Sequence, residues 1–411
     1  MNEANLTRFG PISAGSASPE GVSAAFKAMP GPARVVLQNG GVADLEVRIN
    51  GRSVIEPQAF RVDGESVVAI ELGKENTIEF RVPANTSGTC TLRITQVVKA
   101  DLGLVRQGYF GLNTSDMVRQ RAFYTTLGFK GEIYPAGPET STTFARALGF
   151  ADDYLIHVAL TSLENPPSMP FVDTVQFRGD SFRDEPPYPK LNHIGMAYAT
   201  YSTRNLDGDY AHLRAQGVEF LSAPAEAPDG ERFVFLKDRD GAFLKLIEVS
   251  DGEPAAASPG LVRLVNTNMN VSDFERSREF YRMFGFTETV NRSTKGAGSF
   301  ASAHGFAEPI EFLGEDISLG EGTDGATLQL RQWKQPFDPA PPYPPPVNHL
   351  GIDRINFYVK DLTAAIATLK ELGFEPQWPI GGGPEFGLVF FFDPDGIKVQ
   401  IAGPRTDKSA A

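Results

Sequence analysis

The alternation of apolar and polar residues changes character near residue 100. Before that point, segments such as "ARVVLQNGG", "NTIEFRVP" and "CTLRITQVV" alternate apolar and polar positions, with Gly, Asn and Pro between them. A period of two is typical of half-buried strands, and "INGRSVI" contains the Asn-Gly pair of a tight hairpin turn. We therefore expect a small antiparallel β-sandwich at 31–99, preceded by a flexible tail at 1–30.

After residue 100 an internal repeat dominates the chain. Residues 103–129, "GLVRQGYFGLNTSDMVRQRAFYTTLGF", align without gaps on 260–286, "GLVRLVNTNMNVSDFERSREFYRMFGF". "NHIG" and "NHLG" also recur, each after a matching Pro-rich join. Because each repeat divides again into two similar segments, the pattern predicts two tandem units at 100–251 and 260–405, with two βαβββ modules in each.

The helix of each module is marked by its ends. Asp273 precedes "FERSREFYRMFGF", in which apolar residues recur every three or four positions, and Gly285 follows the last of them. "LTAAIATLKELGF" repeats the arrangement with Gly373. An acidic N-cap and a glycine after the last turn are the usual ends of a helix. The predicted fold class is therefore α+β, with an all-β domain in front.

Composition narrows the classes of function. The 411 residues carry a net charge of −13, which argues against nucleic acid or an anionic membrane as the main partner. The N-terminus lacks the basic and apolar regions of a signal peptide. Cys90 is the only cysteine, so we expect a small core residue rather than a disulfide framework. A cytoplasmic protein is the expectation, with homo-oligomerisation left open.

The segments "VSDFERSREFYRMFGF", "VNHLGI…VKDLTAAIATLKELGFEP" and "FFDPDGIKVQIAG" resemble the vicinal oxygen chelate superfamily. That group includes the glyoxalases, the bleomycin-resistance proteins and the extradiol dioxygenases. The resemblance covers about residues 100–405 and leaves the β-sandwich outside. It implies that pairs of βαβββ modules close a curved sheet around a cup. Metal-dependent members place His, Gln or Glu ligands on the first and last strands of each module.

The resemblance also implies which residues stand at those strand positions in this chain. The first tandem unit would present Tyr109, Gln176, Tyr198 and Lys245, and the second Asn266, Gln329, Arg354 and Gln400. Neither set contains His, Asp or Glu, and each contains a cation that would repel a divalent ion. We therefore expect no metal cofactor, unless its ligands lie elsewhere.

The histidines offer few other ligands. His157 and His304 lie in segments predicted as middle strands, from which they could line a cup and contact a substrate. His193 and His349 belong to the matched "NHxG" segments and are interpreted as structural residues at the joins.

These residues suggest chemistry without a metal. Tyr109, Tyr198, Lys245 and Gln176 would form a catalytic cup in the first unit, where the ammonium could lower the pKa of a phenol and supply proton transfer. The other unit would bind substrate, and Arg354 suits a planar carboxylate unless a nearby Asp or Glu neutralises it. The first hypothesis is therefore a metal-independent lyase, isomerase or cyclase-type enzyme acting on a small aromatic or anionic molecule.

Two alternatives remain open at this point. The cups could bind or sequester a small molecule without catalysis, as the resemblance to bleomycin-resistance proteins implies. The protein could also be a metal-dependent dioxygenase or isomerase whose ligands lie outside the expected positions.

Overall fold

The computed structural model describes residues 3–13, 22–28, 31–42, 45–55, 63–73, 75–81, 88–97, 102–133, 138–139, 142–151, 155–250, 259–319 and 327–406. The chain divides into two compact units, one built on Met1–Ala100 and one on Asp101–Arg278 with Phe284–Ala411. Each unit is described by itself below. No helix among the described residues is both long enough and apolar enough to cross a membrane.

The first unit contains two antiparallel four-stranded sheets. Its strands are β1 (Glu3–Ser13), β2 (Val22–Lys27), β3 (Gly31–Gly40), β4 (Glu46–Ile49), β5 (Arg52–Ile55), β6 (Asp63–Leu72), β7 (Glu75–Arg81) and β8 (Thr89–Val97). The strand orders are β1-β8-β3-β6 and β2-β7-β4-β5. Inward-facing residues of both sheets, among them Leu37, Ile78 and Ile94, form one buried cluster. The predicted all-β domain is therefore a sandwich, as its alternating pattern indicates.

Local predictions for this unit can be compared with the structure. The Asn-Gly pair turns between β4 and β5, with φ of 51° at Asn50 and 75° at Gly51, as a two-residue hairpin requires. Cys90 is buried in the core, which confirms the prediction. The flexible tail predicted for 1–30 is wrong where β1 pairs with β8 and β2 pairs with β7. The Ser/Gly/Pro-rich composition concealed these two strands, which lie at the edges of the two sheets.

The second unit contains the four modules. Module 1 comprises β9 (Leu104–Asn113), α1 (Met117–Thr126), β10 (Gly131–Glu132), β11 (Pro138–Glu139), α2 (Thr142–Ala147), β12 (Leu155–Ser162) and β13 (Phe171–Arg178). Module 2 comprises β14 (Gly195–Thr203), α3 (Leu206–Ala215), β15 (Glu219–Phe220), β16 (Ala225–Glu226), β17 (Arg232–Lys237) and β18 (Phe243–Glu248).

Modules 3 and 4 repeat this order. Module 3 comprises β19 (Leu261–Asn270), α4 (Phe274–Met283), β20 (Phe286–Asn291), β21 (Thr294–Gly296), α5 (Ser299–Ala303), β22 (Ile310–Leu319) and β23 (Thr327–Gln335). Module 4 comprises β24 (Gly351–Val359), α6 (Leu362–Glu371), β25 (Gly381–Gly382), β26 (Phe386–Phe392) and β27 (Lys398–Pro404). The predicted α+β class with four modules is confirmed.

The modules do not pair in the order of the chain. One sheet runs β10-β12-β13-β9-β24-β27-β26-β25, so module 1 joins module 4 through antiparallel β9 and β24. The other runs β15-β17-β18-β14-β19-β23-β22-β20, so module 2 joins module 3 through β14 and β19. We call the face of each sheet that carries the expected site residues a cup: the 1/4 cup in the first sheet, with Tyr109, and the 2/3 cup in the second, with Tyr198. The predicted cups of modules 1 and 2 and of modules 3 and 4 are therefore wrong.

The predicted helix ends are present. Asp273 accepts a hydrogen bond from the Arg276 amide at 3.1 Å, and Asp361 caps α6 through the amides of Thr363 and Ala364. Gly285, with φ of 92°, follows α4 in the left-handed conformation that glycine adopts readily. The aspartate that precedes each of these two helices therefore fixes where the helix starts.

The "NHxG" segments form the crossing point of the two linkers between modules. Tyr188 stacks on Tyr343 with ring centroids 5.0 Å apart, His193 lies against Tyr188 at 4.3 Å, and His349 stacks on Tyr343 at 4.0 Å. Burial lowers the pKa of His193 to about 4, although two backbone carbonyls favour its protonation. These contacts are structural, as the sequence predicted for both histidines.

Candidate functional site

The pairing of modules redistributes the predicted site residues. Tyr109, Arg354 and Gln400 lie in the 1/4 cup, whereas Tyr198, Lys245, Asn266 and Gln329 lie in the 2/3 cup. Tyr109 is therefore separated from Tyr198 and Lys245, and the four-residue sets expected for the tandem units do not exist. The sequence places each residue correctly on a first or last strand, but strand pairing decides which residues share a cup.

Gln176 does not line a cup. Its side-chain Nε2 donates to the Ser115 carbonyl oxygen at 2.8 Å, and its Oε1 accepts from the backbone N–H of Met117 at 3.3 Å. Gln176 therefore stabilises the start of α1. Gln332 makes the same two contacts at the start of α4. The alignment of Gln176 with Gln329 was therefore displaced by three residues.

The structural counterpart of Gln329 is Asp173. Asp173 stands opposite Gly111 in parallel register, as Gln329 stands opposite Asn268. The 1/4 cup therefore contains a carboxylate at an expected strand position, where the sequence alignment predicted none.

The two candidate histidines occupy different surroundings. His157 lies on β12 opposite Gln176, so it faces away from the 1/4 cup, and its Nε2 is 3.2 Å from Arg178 Nη1. His304 follows α5 instead of lying on a strand, and its Nδ1 is 2.9 Å from the Phe300 carbonyl oxygen. Its ring packs 5.1 Å from Phe233 in the 2/3 cup. The cup prediction is therefore wrong for His157, and the strand prediction is wrong for His304.

In the 1/4 cup the buried charges are paired. Arg354 donates to Asp173 at 2.7 Å and to Asn113 at 3.2 Å. The guanidinium lies over Gly111, where a Cβ would overlap it. Lys398 donates to Asp353 at 2.7 Å. Because each of these cations has its own carboxylate, Arg354 follows the alternative in which a neighbouring Asp neutralises it.

The same cup holds Tyr109 as a neutral phenol. Tyr109 donates to Gln400, which also accepts from Asn356 at 3.0 Å. Burial, with a further contribution from Asp173, raises the pKa of Tyr109 well above its ordinary value, although Arg354 opposes the shift. The remainder of the interior is apolar, including Ile156, Val175, Phe177 and Phe390.

In the 2/3 cup the charges form a continuous chain. Lys245 donates to Glu231 at 2.5 Å, and the other oxygen of Glu231 lies 3.2 Å from Arg292 Nη1. Arg292 Nε donates in turn to Asp316 at 2.8 Å. Two cations and two carboxylates therefore alternate along one side of the cup.

The chain continues to a phenol. Gln329 donates to Asp316 at 2.9 Å, and its amide oxygen accepts from the Tyr198 hydroxyl at 2.6 Å. Asn268 reaches the same oxygen at 3.4 Å. Asn266 lies two residues earlier on β19, and its buried side-chain oxygen has no hydrogen-bond partner among the described residues. Tyr198 is thus connected to Lys245 through a hydrogen-bonded network.

A cation missed by the sequence analysis completes this cup. Arg331 lies two residues after Gln329 on β23 and is 3% exposed. Its Nη2 donates to Gln329 at 3.2 Å, and its guanidinium carbon is 3.7 Å from the centre of the Phe312 ring. Side chains two apart on a strand share a face, so testing each cup-facing strand for a second charge would have revealed it.

The protonation of Tyr198 and Lys245 follows from their burial. Burial raises the pKa of Tyr198 to about 12, with Arg331 acting against the shift and Asp316 and Glu231 adding to it. The expected lowering of a phenol pKa is therefore wrong. Burial lowers the pKa of Lys245, although Glu231 opposes the shift. The site therefore combines a protonated phenol with a Lys245 ammonium that is paired with Glu231 and has a lowered pKa.

Aromatic rings cover the polar part of the 2/3 cup. Phe233 and Phe235 of β17, Phe300 of α5 and Trp333 of β23 belong to one buried cluster. Lys245 Nζ lies 4.9 Å from the centre of the Phe233 ring. The cup therefore packs buried charge against aromatic rings that are themselves buried.

The strand positions that carry a metal in metal-dependent relatives do not suit one here. In the 2/3 cup one of these positions is Lys245, a cation. In the 1/4 cup the carboxylate of Asp173 is already hydrogen-bonded to Arg354. Within the described part of the chain, no three His, Cys, Asp or Glu side chains cluster as metal ligands. Divalent metals prefer imidazole, carboxylate or thiolate ligands and are repelled by a neighbouring cation. The absence of a metal cofactor stays a prediction based on this donor set.

Fold and strand positions together define a protein of the vicinal oxygen chelate class. The model of the Glyoxalase/Bleomycin resistance protein/Dioxygenase superfamily matches residues 106–246 and 263–401. The protein belongs to this superfamily, because the two matches cover more than half of the chain.

Solved structures show a similar fold. A variant of glyoxalase I from Zea mays is 17% identical, with a TM-score of 0.50 over 72% of this chain and 93% of that chain. A putative dioxygenase from Bacillus subtilis is 12% identical, with a TM-score of 0.48 over 73% and 85%. At these identities the likeness concerns the fold alone. A search of curated proteins finds no match.

Proposed function

We propose that the 2/3 cup binds a small organic molecule and catalyses proton transfer on it without a metal, as a lyase or isomerase does. One observation carries this proposal: Tyr198 and Lys245 lie on adjacent strands of one buried cup and are connected through hydrogen bonds. An acid and a base that flank one ligand are the requirement for such chemistry.

The reaction follows from the protonation of the two groups. The Lys245 ammonium first passes a proton to Glu231, and the neutral amine then takes a proton from a ligand carbon that is bonded to a carbonyl group. The C–H electron pair forms a C=C bond, and the C=O electron pair moves to the carbonyl oxygen, which becomes an enolate oxygen. Tyr198, still protonated, donates to that oxygen. In a ligand with a C=C bond next to that carbon, return of the proton to the far end of the C=C bond completes an isomerisation. In a ligand with a leaving group on the next carbon, the carbonyl re-forms and the leaving group departs with its bonding electrons, which completes an elimination.

The test is proton exchange in D₂O with phenylpyruvate as the probe. We expect the protein to accelerate the loss of the benzylic proton signal in the NMR spectrum. Tyr198→Phe and Lys245→Met should each lower the rate by about 10²-fold or more. Tyr210→Phe, on α3 outside the cups, is the matched control and should leave the rate unchanged. Exchange no faster than in buffer would refute the proposal.

A second candidate function is binding or sequestration without catalysis. It is favoured by the engagement of both groups, since Tyr198 already donates to Gln329 and Lys245 to Glu231. Under this alternative, phenylpyruvate binds with measurable affinity but its protons do not exchange. Binding measured by calorimetry beside the exchange experiment therefore separates the two functions.

A further inference from the structure

Arg331 is the least satisfied charge of the 2/3 cup. Gln329 accepts from its Nη2, while nothing among the described residues accepts from Nε or Nη1. The side chain is 3% exposed, so water does not readily replace these partners. A buried guanidinium has five N–H groups to satisfy, and leaving them unpaired disfavours the folded state.

No carboxylate among the described residues hydrogen-bonds to Arg331 directly. Glu231 and Asp316 accept from Lys245 and Arg292, and Asp229 lies 3.7 Å from Arg292. The carboxylates nearest to Arg331 are therefore already engaged by other cations. Burial lowers the pKa of Arg331, although Tyr198, Asp316 and Glu231 favour its charged form.

The strand position that corresponds to Arg331 in the 1/4 cup is occupied by an uncharged residue, Val175. Val175 stands opposite Asn113 in parallel register, as Arg331 stands opposite Asn270. Since the same strand position is filled by an apolar residue in the other cup, the fold itself does not require a cation there.

Aromatic rings surround the guanidinium. The centres of the Phe312, Tyr198 and Trp333 rings lie 3.7, 5.6 and 5.8 Å from its central carbon. Rings at these distances stabilise a cation in part, but they accept no conventional hydrogen bonds from Nε and Nη1. A ligand with a planar anionic group and an aromatic body would complement both features.

We propose that Arg331 anchors the carboxylate of a small aromatic acid in the 2/3 cup. This inference deepens the proposed function and rests on it, because it names the ligand class of the same cup. Two acceptor oxygens of the carboxylate match the parallel N–H donors of the guanidinium. The aromatic body of the ligand packs against the rings that line the cup.

The test measures equilibrium binding of benzoate and of benzyl alcohol by calorimetry. We expect the wild-type protein to bind benzoate at least 10-fold more tightly than benzyl alcohol. Arg331→Met should abolish that preference, and Arg331→Lys should weaken benzoate binding by about 10-fold because it keeps the charge but loses the planar fork. Lys334→Met, an exposed cation on the same strand, is the control and should bind benzoate normally.

Thermal unfolding distinguishes a ligand anchor from a structural residue. An Arg331 that serves a ligand makes Arg331→Met at least as heat-stable as the wild type, because an unsatisfied charge is removed. A lower midpoint for Arg331→Met, together with unchanged benzoate affinity of Arg331→Lys, would overturn the inference.

The proposed function and this inference can fail separately. If benzoate is preferred through Arg331 but phenylpyruvate does not exchange, the anchor stands and the proton-transfer function fails. If phenylpyruvate exchanges but benzoate and benzyl alcohol bind alike, the function stands and the anchor fails.

Discussion

The two cups have the same strand order but differ in how their interiors are neutralised. In the 1/4 cup, Arg354 and Asp173 neutralise each other, and apolar side chains fill the remaining space. In the 2/3 cup, no carboxylate among the described residues hydrogen-bonds to Arg331, which lies against aromatic rings. The two cups therefore differ in how their buried charges are paired, although their strand order is the same. Tyr198 and Lys245 belong to the first tandem unit, but they share a cup with module 3 and not with Tyr109.

The largest expected effect is a difference in the free energy of unfolding between variants of Arg354 and Arg331. Arg354→Met leaves Asp173 buried without its cation and should destabilise the protein by about 3–5 kcal/mol, whereas Arg331→Met should cost nothing. Urea unfolding of both variants measures the difference. Arg354→Met combined with Asp173→Val is the control and should recover most of the loss. A cost below about 1 kcal/mol for Arg354→Met would remove the distinction between the cups.

A smaller effect concerns acid sensitivity, because the 2/3 cup contains His304 where the 1/4 cup has Leu148. Burial, reinforced by Arg331, lowers the pKa of His304 well below 6.5. The unfolded chain therefore binds this proton first. The stability that neutral His304 provides is complete above about pH 6.5 and falls by about 1.4 kcal/mol per pH unit below it.

His304→Leu should remove that part of the pH dependence. Unfolding free energies measured between pH 7 and 5 should then fall less steeply than those of the wild type. His212→Leu, on α3 outside the cups, is the matched variant and should keep the wild-type slope. Equal slopes for wild type and His304→Leu would mean that the imidazole is protonated within the fold.

The smallest effect compares the linkers that serve both cups. Gly195 and Gly351 have φ of 125° and 97°, and a Cβ would lie 3.2 Å from Pro342 and 3.0 Å from Pro187. Alanine at either position should cost about 1–2 kcal/mol. Gly383→Ala, where a Cβ would meet nothing, is the control for thermal unfolding. Clearly unequal losses of stability in the two variants would show that the two linkers do not contribute equally to the stability of the fold.

Local chemistry made much of the fold predictable. Asp273, Gly285 and the Asn50–Gly51 turn act through neighbours within a few residues, so their roles follow from short segments. The pairing of modules does not follow from short segments, because β9 could pair with either β14 or β24 in the same antiparallel pattern. The sequence of a single strand does not indicate which of two equivalent partners it pairs with.

The site was predictable only in part for the same reason. Tyr198, Lys245 and Gln329 were placed on the correct strands, but Gln176 was chosen because a glutamine recurs in similar segments. Register follows from hydrogen bonding between strands and not from residue identity. The raised pKa of Tyr198 depends on complete burial, which no spacing of residues indicates.

The nested pairing of modules also sets an order of assembly during translation. Modules 2 and 3 are neighbours in the chain, so their sheet can close once residue 335 has emerged. The edge of β9 in module 1 stays unpaired until β24, which ends at Val359, has emerged. The roughly 180 residues between Arg178 and Val359 take on the order of 10–35 s at about 5–20 residues per second. A chain stopped after residue 335 would therefore expose a strand edge that invites aggregation.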